Sequence, residues 1–334
     1  MEKRELGSTG WDVTEMGLGT WTMGGVWSEA TDEECRDAVR AALDAGVNFI
    51  DTADVYGGGR AEKVINDVLS DYDADERVYV ATKAGRYLDP HVPEHYDREH
   101  LEGFVDDSRE RLGMDTLDLV QLHCPPTEAY YQPETFEAMR ELKENGKIRE
   151  FGVSVEKVEE ARKAIEYEGV ESVQIIFNPF RQRPAESFFE EAANNDVGII
   201  VRVPLASALL ADAFERDSEF GDNDHRKAAA EEGVSAGVGG KGGETFSGVP
   251  FEAGLDAVDD LRPYVPEDAT MAQYALRWIL DHDAVTTVIP GSTNPTHVRE
   301  NSAAAELEPL SNEEHGAIRD IYEEYIYEHC HHQW

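Results

Sequence analysis

Two adjoining runs decide the fold class between them: Thr31-Asp32-Glu33-Glu34-Cys35-Arg36-Asp37-Ala38-Val39-Arg40-Ala41-Ala42-Leu43-Asp44-Ala45-Gly46, and then Val47-Asn48-Phe49-Ile50-Asp51-Thr52-Ala53. Thr31 with Glu34 three residues later is a capping box, which satisfies donors at a helix start. Ala38, Leu43 and their neighbours form an apolar stripe at helical spacing, and Gly46 ends the helix by taking a left-handed backbone. Asn48–Ala53 is short, largely apolar and too brief for a helix, as expected of a strand buried on both faces. A helix feeding such a strand is half of a βα repeat.

Outward from this pair, the same rhythm recurs almost to the end. Further strands are expected at Met16–Trp21, Val78–Lys83, Leu117–His123, Glu150–Ser154, Ser172–Phe177, Gly198–Pro204 and Val285–Gly291. Helical spacing returns with Phe136, Met139 and Leu142 before Gly146, with Val158, Ala161 and Ile165 before Gly169, and with Met271–Leu280 behind Thr270. Eight strands alternating with helices imply a parallel sheet wrapped by helices, and eight is the number that closes a barrel. The expectation is an α/β chain forming one (β/α)8 TIM barrel domain over residues 1–334. An N-terminal β-hairpin precedes it, Arg4-Glu5-Leu6 against Asp12-Val13-Thr14 around Gly7-Ser8-Thr9-Gly10. The irregular, Gly- and charge-rich stretch from Ala206 to Pro250 follows the seventh barrel strand, and reads as a long loop serving as a lid.

Composition narrows the function. Apolar residues make up 40% of the chain, enough for a large core, and no run of about 18 apolar residues could span a membrane. Seventy acidic residues face thirty basic ones, giving a net charge of −40. That charge opposes nucleic acid and anionic membranes as partners. Spread along a chain with regularly placed aromatic and β-branched residues, it suits a folded protein with a strongly hydrated acidic shell, as in a salt-rich cytoplasm. Three widely spaced cysteines, Cys35, Cys124 and Cys330, fit a reducing cytoplasmic setting.

Reactive groups stand at strand C-terminal ends, where such barrels keep their chemistry. Asp51 closes the second strand, Tyr56 follows on the next loop, Lys83 ends the third and His123 the fourth. Neighbouring strands run about 5 Å apart, so the four can converge. A phenol with an ordinary pKa of roughly 10 needs tuning to work near neutrality. The Lys83 ammonium should lower the Tyr56 pKa, Asp51 should hold Lys83 charged, and a neutral His123 can direct a carbonyl oxygen. Trp21, Trp27 and Tyr87 follow the first and third strands and are candidate pocket walls for a small carbonyl or sugar substrate.

Asp51-Thr52-Ala53-Asp54-Val55-Tyr56-Gly57 resembles the signature of the aldo-keto reductases, and Lys83 and His123 match the other members of that family's catalytic tetrad. The likeness runs from Gly17-Leu18-Gly19-Thr20-Trp21 to Ile289-Pro290-Gly291-Ser292, and is closer to the prokaryotic type. It implies an NAD(P)-dependent oxidoreductase acting on an aldehyde, ketone or aldose, with Tyr56 as general acid or base. It also implies NADP(H) or NAD(H) held by Ser154 and Gln174 at the carboxamide, where Val155 replaces the usual Asn. Arg202 stands at the position of the ring-stacking tyrosine, free to stack or to reach the pyrophosphate. Trp21, Asp51 and Leu205 join the cofactor contacts. Gly291, Ser292, Thr293, His297, Glu300 and Asn301 take the adenosine end, where the N–H groups of a helix opened by Pro295 favour an anion. Without Lys or Arg at 291, 293 and 297, the extra phosphate of NADPH gains less, so NADH should be used as well. The oxidative direction, an aldose or alcohol dehydrogenase, uses the same residues. A cofactor-binding regulatory or scaffold protein on the same barrel is the alternative from another class. His329-Cys330-His331-His332 is not read as a metal site.

Overall fold

The Thr31 side chain accepts from the Glu34 N–H while Glu34 reaches back, and the helix α1 (Asp32–Asp44) runs from that box to Gly46 at φ +86°. This is a computed structural model, which describes residues 1–25, 30–72, 76–222, 224–233 and 244–334. A two-stranded antiparallel hairpin, β1 (Lys3–Glu5) and β2 (Asp12–Thr14), precedes eight parallel strands: β3 (Leu18–Gly19), β4 (Phe49–Asp51), β5 (Tyr79–Ala84), β6 (Leu117–His123), β7 (Ile148–Ser154), β8 (Val170–Ile176), β9 (Gly198–Arg202) and β10 (Val285–Val288). Further helices lie between the strands, α2 (Arg60–Leu69), α3 (Arg98–Leu112), α4 (Pro133–Glu144), α5 (Val158–Ala164), α6 (Arg183–Ser187), α7 (Phe189–Asn194), α8 (Arg226–Glu232), α9 (Phe251–Leu261) and α10 (Met271–Leu280), and after the last strand come α11 (Pro295–Ala303) and α12 (Asn312–Ile321).

The strands neighbour one another in sequence order from β3 to β10. The ring shuts at a seam where Gly17 donates to Val288 at 2.8 Å, Gly19 donates to Pro290 at 3.1 Å, and Met16 and Gly19 bridge to Val288 and Gly291. Close approach explains the glycine. A Cβ on residue 19 would lie 2.6 Å from the Ile289 carbonyl oxygen. The first strand is therefore shorter than Met16–Trp21, and Trp21–Gly24 turns into a 3-10 helix.

Two apolar layers hold the barrel. One lies between strands and helices, and α10 buries eight of its ten residues there behind its Thr270 capping box. The other fills the barrel interior, where Leu6 and Val13 of the hairpin meet Phe49, Ala81, Leu119, Ile200 and Ile289. Trp11 stacks on Tyr79 at 4.7 Å and Leu6 presses on Gly198, so the hairpin stoppers the end at which strands begin. The opposite mouth is left for chemistry.

Ala206–Pro250 is not one structureless loop. It carries 3-10 turns at Ala206–Ala211 and Thr245–Gly248, and α8 between them. The sequence Arg226-Lys227-Ala228-Ala229-Ala230-Glu231-Glu232 is a good helix former without an apolar stripe, since only Ala229 is buried, so periodicity does not reveal it. The glycine-rich run 237–243, and Trp27 with it, lie outside the described residues. Among the described residues no helix is long and apolar enough to cross a membrane.

Candidate active site

Register brings the strand-end residues together. Lys83 is level with Gln121, His123 with Ser154, and Ser154 with Gln174. The Lys83 ammonium donates to Asp51 Oδ2 at 2.6 Å, to the Thr52 carbonyl at 2.8 Å and to the Tyr56 hydroxyl at 3.2 Å. Lys83 and Asp51 are buried, with side chains 1% and 3% exposed. An ammonium so placed needs a partner to stay charged. Burial is the largest single influence and disfavours its charge, but Asp51 and Tyr56 together outweigh it and the Lys83 pKa rises. The His123 and Tyr56 rings stand nearly perpendicular, centroids 6.1 Å apart.

The expected lowering of the Tyr56 pKa is not what the environment produces. Burial pushes the phenol up, to about 12, and the pull of Lys83 only partly offsets it. A phenolate out of water costs more than one ammonium 3.2 Å away returns when that ammonium is already shared with a carboxylate. Tyr56 is therefore a phenol kept protonated.

A second polar layer backs the first. Gln174 donates to Asp51 Oδ1 at 2.6 Å, Gln121 lies 3.4 Å from the same oxygen, and Ser154 Oγ is 3.4 Å from Gln174 Oε1. Asp54 is 2% exposed, and among the described residues its carboxylate has no close donor beyond the backbone of Val55. Burial, then the buried Glu62 carboxylate nearby, raise its pKa to about 7. Glu62 itself accepts from Thr82 at 2.6 Å and Arg111 at 2.5 Å.

These groups open into a cleft of about 520 Å³. Its walls include Trp21, Asp51, Tyr56, Tyr87, His123, Ser154, Gln174, Arg202, Leu205, Gly291, Ser292 and Thr293, which the sequence singled out. His297, Glu300 and Asn301 are not among the walls. They lie further along α11, His297 and Glu300 exposed and Asn301 buried, with the Glu300 carbonyl held by Gln273.

Arg202 is no surface cation. Its side chain is 11% exposed, and it donates to Glu244 at 3.0 Å and to the Val155 carbonyl at 2.9 Å. Sequence reasoning missed Glu244, and also Arg86 and Glu156, which complete the cluster: Arg86 stands 3.5 Å from Glu156 and 3.9 Å from Glu244. Arg86 was findable, being three residues past Lys83 at a strand end. The two acids could be matched to their arginines only through the fold. Cys124 lies behind the cleft, 1% exposed, with its thiol 3.7 Å from Ser154 and from Arg202. Its sulfur and the two carboxylates are close enough to share a cation. Arg86 and Arg202 already neutralise those acids, which leaves little attraction for one. At the C-terminus, Cys330 faces the Phe180 carbonyl and His331 the Tyr322 hydroxyl, so that run serves packing.

The donor set suits a nicotinamide dinucleotide. Serine and glutamine sit at one end of the cleft, and a helix opened by Asn294 and Pro295, with no acid in its first turn, at the other. Thr22 Oγ1, on the wall between, is buried without a partner among the described residues.

Comparison with known proteins agrees. The model of the Aldo/keto reductase family matches residues 15–323, and the chain belongs to that family. It is an NAD(P)-dependent oxidoreductase acting on carbonyl compounds, aldoses included. Aldo-keto reductase YhdN of Bacillus subtilis is 29% identical over 299 residues, 88% of this chain and 86% of its own. The NADH-specific methylglyoxal reductase of Escherichia coli is 28% identical, covering 97% and 99% of the two chains. The holo form of an aldo-keto reductase from Bacillus halodurans superposes with a TM-score of 0.76 at 26% identity over 99% of each chain.

Proposed function

We propose that the whole chain is one catalytic domain in which Tyr56 donates its phenolic proton to the oxygen of a small polar carbonyl during reduction and recovers it in the reverse direction. The observation that carries this reading is the 3.2 Å contact between buried Lys83 and Tyr56, which lines the cleft. Lys83, held charged by Asp51, stabilises negative charge on the phenol oxygen as the proton leaves. His123 orients the carbonyl oxygen. The bound nicotinamide cofactor supplies or accepts the hydride. Ser154 and Gln174 would hold its carboxamide, Trp21, Asp51, Arg202 and Leu205 would flank it, and Gly291–Thr293, with His297, Glu300 and Asn301, would take the adenosine end. Trp21 and Tyr87, and Trp27 beyond the described residues, would wall the substrate.

NADH is used alongside NADPH in this reading. No Lys or Arg stands at 291, 293 or 297, and a relative named for NADH specificity aligns along nearly its full length. Steady-state kcat/KM for both cofactors with a panel of short aldehydes and ketones tests the function. Turnover that tracks NAD(P)H absorbance is expected; tight cofactor binding without turnover would support the regulatory alternative. We further infer a chain of the prokaryotic type working in a salt-rich cytoplasm, on the strength of its −40 charge and its three free cysteines. Thermal stability should then climb with KCl, and a flat response would defeat that part.

A further inference from the structure

Two left-handed turns meet at the mouth of the barrel. One follows β9: Ala206, Ser207 and Ala208 stand at φ +47°, +55° and +79°, and Ser207 and Ala208 line the cleft. The other is Phe246, Ser247 and Gly248, at +52°, +60° and +79°. Such a backbone suits Gly248 but is disfavoured for a residue with a Cβ, so each turn persists only while its neighbours over-determine it. The Phe246 N–H donates to Ser207 Oγ at 3.1 Å and joins the two. Glu244, two residues before the second turn, carries the carboxylate that pairs with Arg202.

What holds the second turn comes from far along the chain. Trp334, past the helix Tyr327–Cys330, lays its ring against it: a Cβ on Gly248 would lie 2.9 Å from the indole nitrogen. The same ring lies over Arg181, whose guanidinium carbon is 5.0 Å from the ring centroid. Arg181 is 3% exposed, and it donates to the Ser247 carbonyl at 2.9 Å and to the Glu156 carbonyl at 3.2 Å. Arg202 takes the adjacent carbonyl, that of Val155, at 2.9 Å. Arg183 anchors Trp334 in turn, donating to its carbonyl at 2.7 Å. A buried guanidinium gains from an aromatic face. The ring thus backs the hydrogen bonds that fix both ends of the Arg202–Glu244 pair.

We propose that Trp334 is a positioning residue for cofactor binding: it holds Arg181 and the 246–248 turn in place, and through them sets Arg202 and Glu244 on the cleft. Without the ring the strained turn relaxes, Glu244 shifts, and Arg202 no longer meets the dinucleotide from a fixed position. Asp51, Tyr56 and Lys83 stand on β4, the loop after it and β5, so their proton chemistry is left in place. The inference rests on the reading that Arg202 flanks the cofactor.

NADH and NADPH titrated by fluorescence into the full chain give Kd, and kcat at saturating cofactor reports the chemistry. Trp334→Ala should raise Kd about tenfold, within the range of coupling between contacting residues, while kcat stays within about threefold. Trp334→Phe, which keeps a ring over Arg181, should recover most of the loss. Glu244→Gln should raise Kd too. Combined with Trp334→Ala it should bind no more weakly than the worse single variant, because both changes release the same contact. Circular dichroism and melting curves set a temperature at which every variant is folded; should Trp334→Ala not fold, Trp334→Leu, which fills space without a π face, takes its place. Kd unchanged in the Trp334 variants while Glu244→Gln weakens binding overturns the proposal. So does a kcat that falls as far as affinity, or losses that multiply in the double variant. Kd unchanged in Glu244→Gln and in Arg202→Met as well would instead defeat the reading of Arg202, and this inference with it.

Discussion

Arg202 and Glu244 form a 3.0 Å ion pair across 42 residues of sequence, joining the end of β9 to the last part of the segment that follows it. Both side chains are about nine-tenths buried. Asn178 and Arg181 tie the same segment down through Ser247, at 2.8 and 2.9 Å. The pair therefore fixes where that segment returns to the barrel mouth.

Replacing Glu244 by Gln keeps the shape and removes the charge opposite Arg202. Stability should drop by about 2–3 kcal/mol, read as a lower urea midpoint. Because salt screens exposed charges far better than buried ones, raising KCl should not close the gap between the variant and its parent.

The raised Tyr56 pKa has a sign that can be read in both directions of the reaction. Reduction needs the phenol protonated. With its pKa near 12, that form persists through the working range, so kcat for reduction should show no loss to Tyr56 ionisation below about pH 10. Oxidation needs the phenolate, so its rate should rise with pH toward the same value. Tyr56→Phe should cost roughly two to four orders of magnitude in kcat while cofactor titration still saturates.

Asp54 supplies a stability prediction. Its folded pKa, near 7, lies above the ordinary carboxylate value of 3.8, so the folded state binds the proton more tightly. Its contribution is complete below about pH 4 and is lost as pH rises through about 7. Asp54→Asn, neutral at every pH, should gain on the order of 1 kcal/mol or more over its parent at pH 8 and nothing at pH 4, by thermal unfolding at the two values.

At the barrel seam, Gly19→Ala would force a methyl to 2.6 Å from the Ile289 carbonyl. The strands must part, at a cost of about 1–3 kcal/mol. A variant melting at the parent temperature would refute the account of the seam.

Much of this was legible because local signals agreed with the global fold. Leu117–His123 is both the expected and the observed strand, the Thr31–Glu34 box caps its helix as expected, and Thr270 caps the helix over Met271–Leu280. Asp51, Tyr56, Lys83 and His123 could be placed because strand ends have a fixed meaning in a barrel. What escaped depends on three dimensions. No local pattern links Glu244 to Arg202, or Glu156 to Arg86. The short β3 follows from a seam with β10 that only ring closure creates. The phenol's shift was misjudged because sequence can name a neighbouring ammonium but not the depth at which both are buried.

Asp51 has one oxygen on Lys83 and the other on Gln174. A single carboxylate thus stands between the group that tunes the acid and the amide proposed to grip the coenzyme. Anyone redesigning position 174 to change coenzyme choice will also disturb how readily residue 56 gives up its proton, so in this barrel the two traits must be bred together.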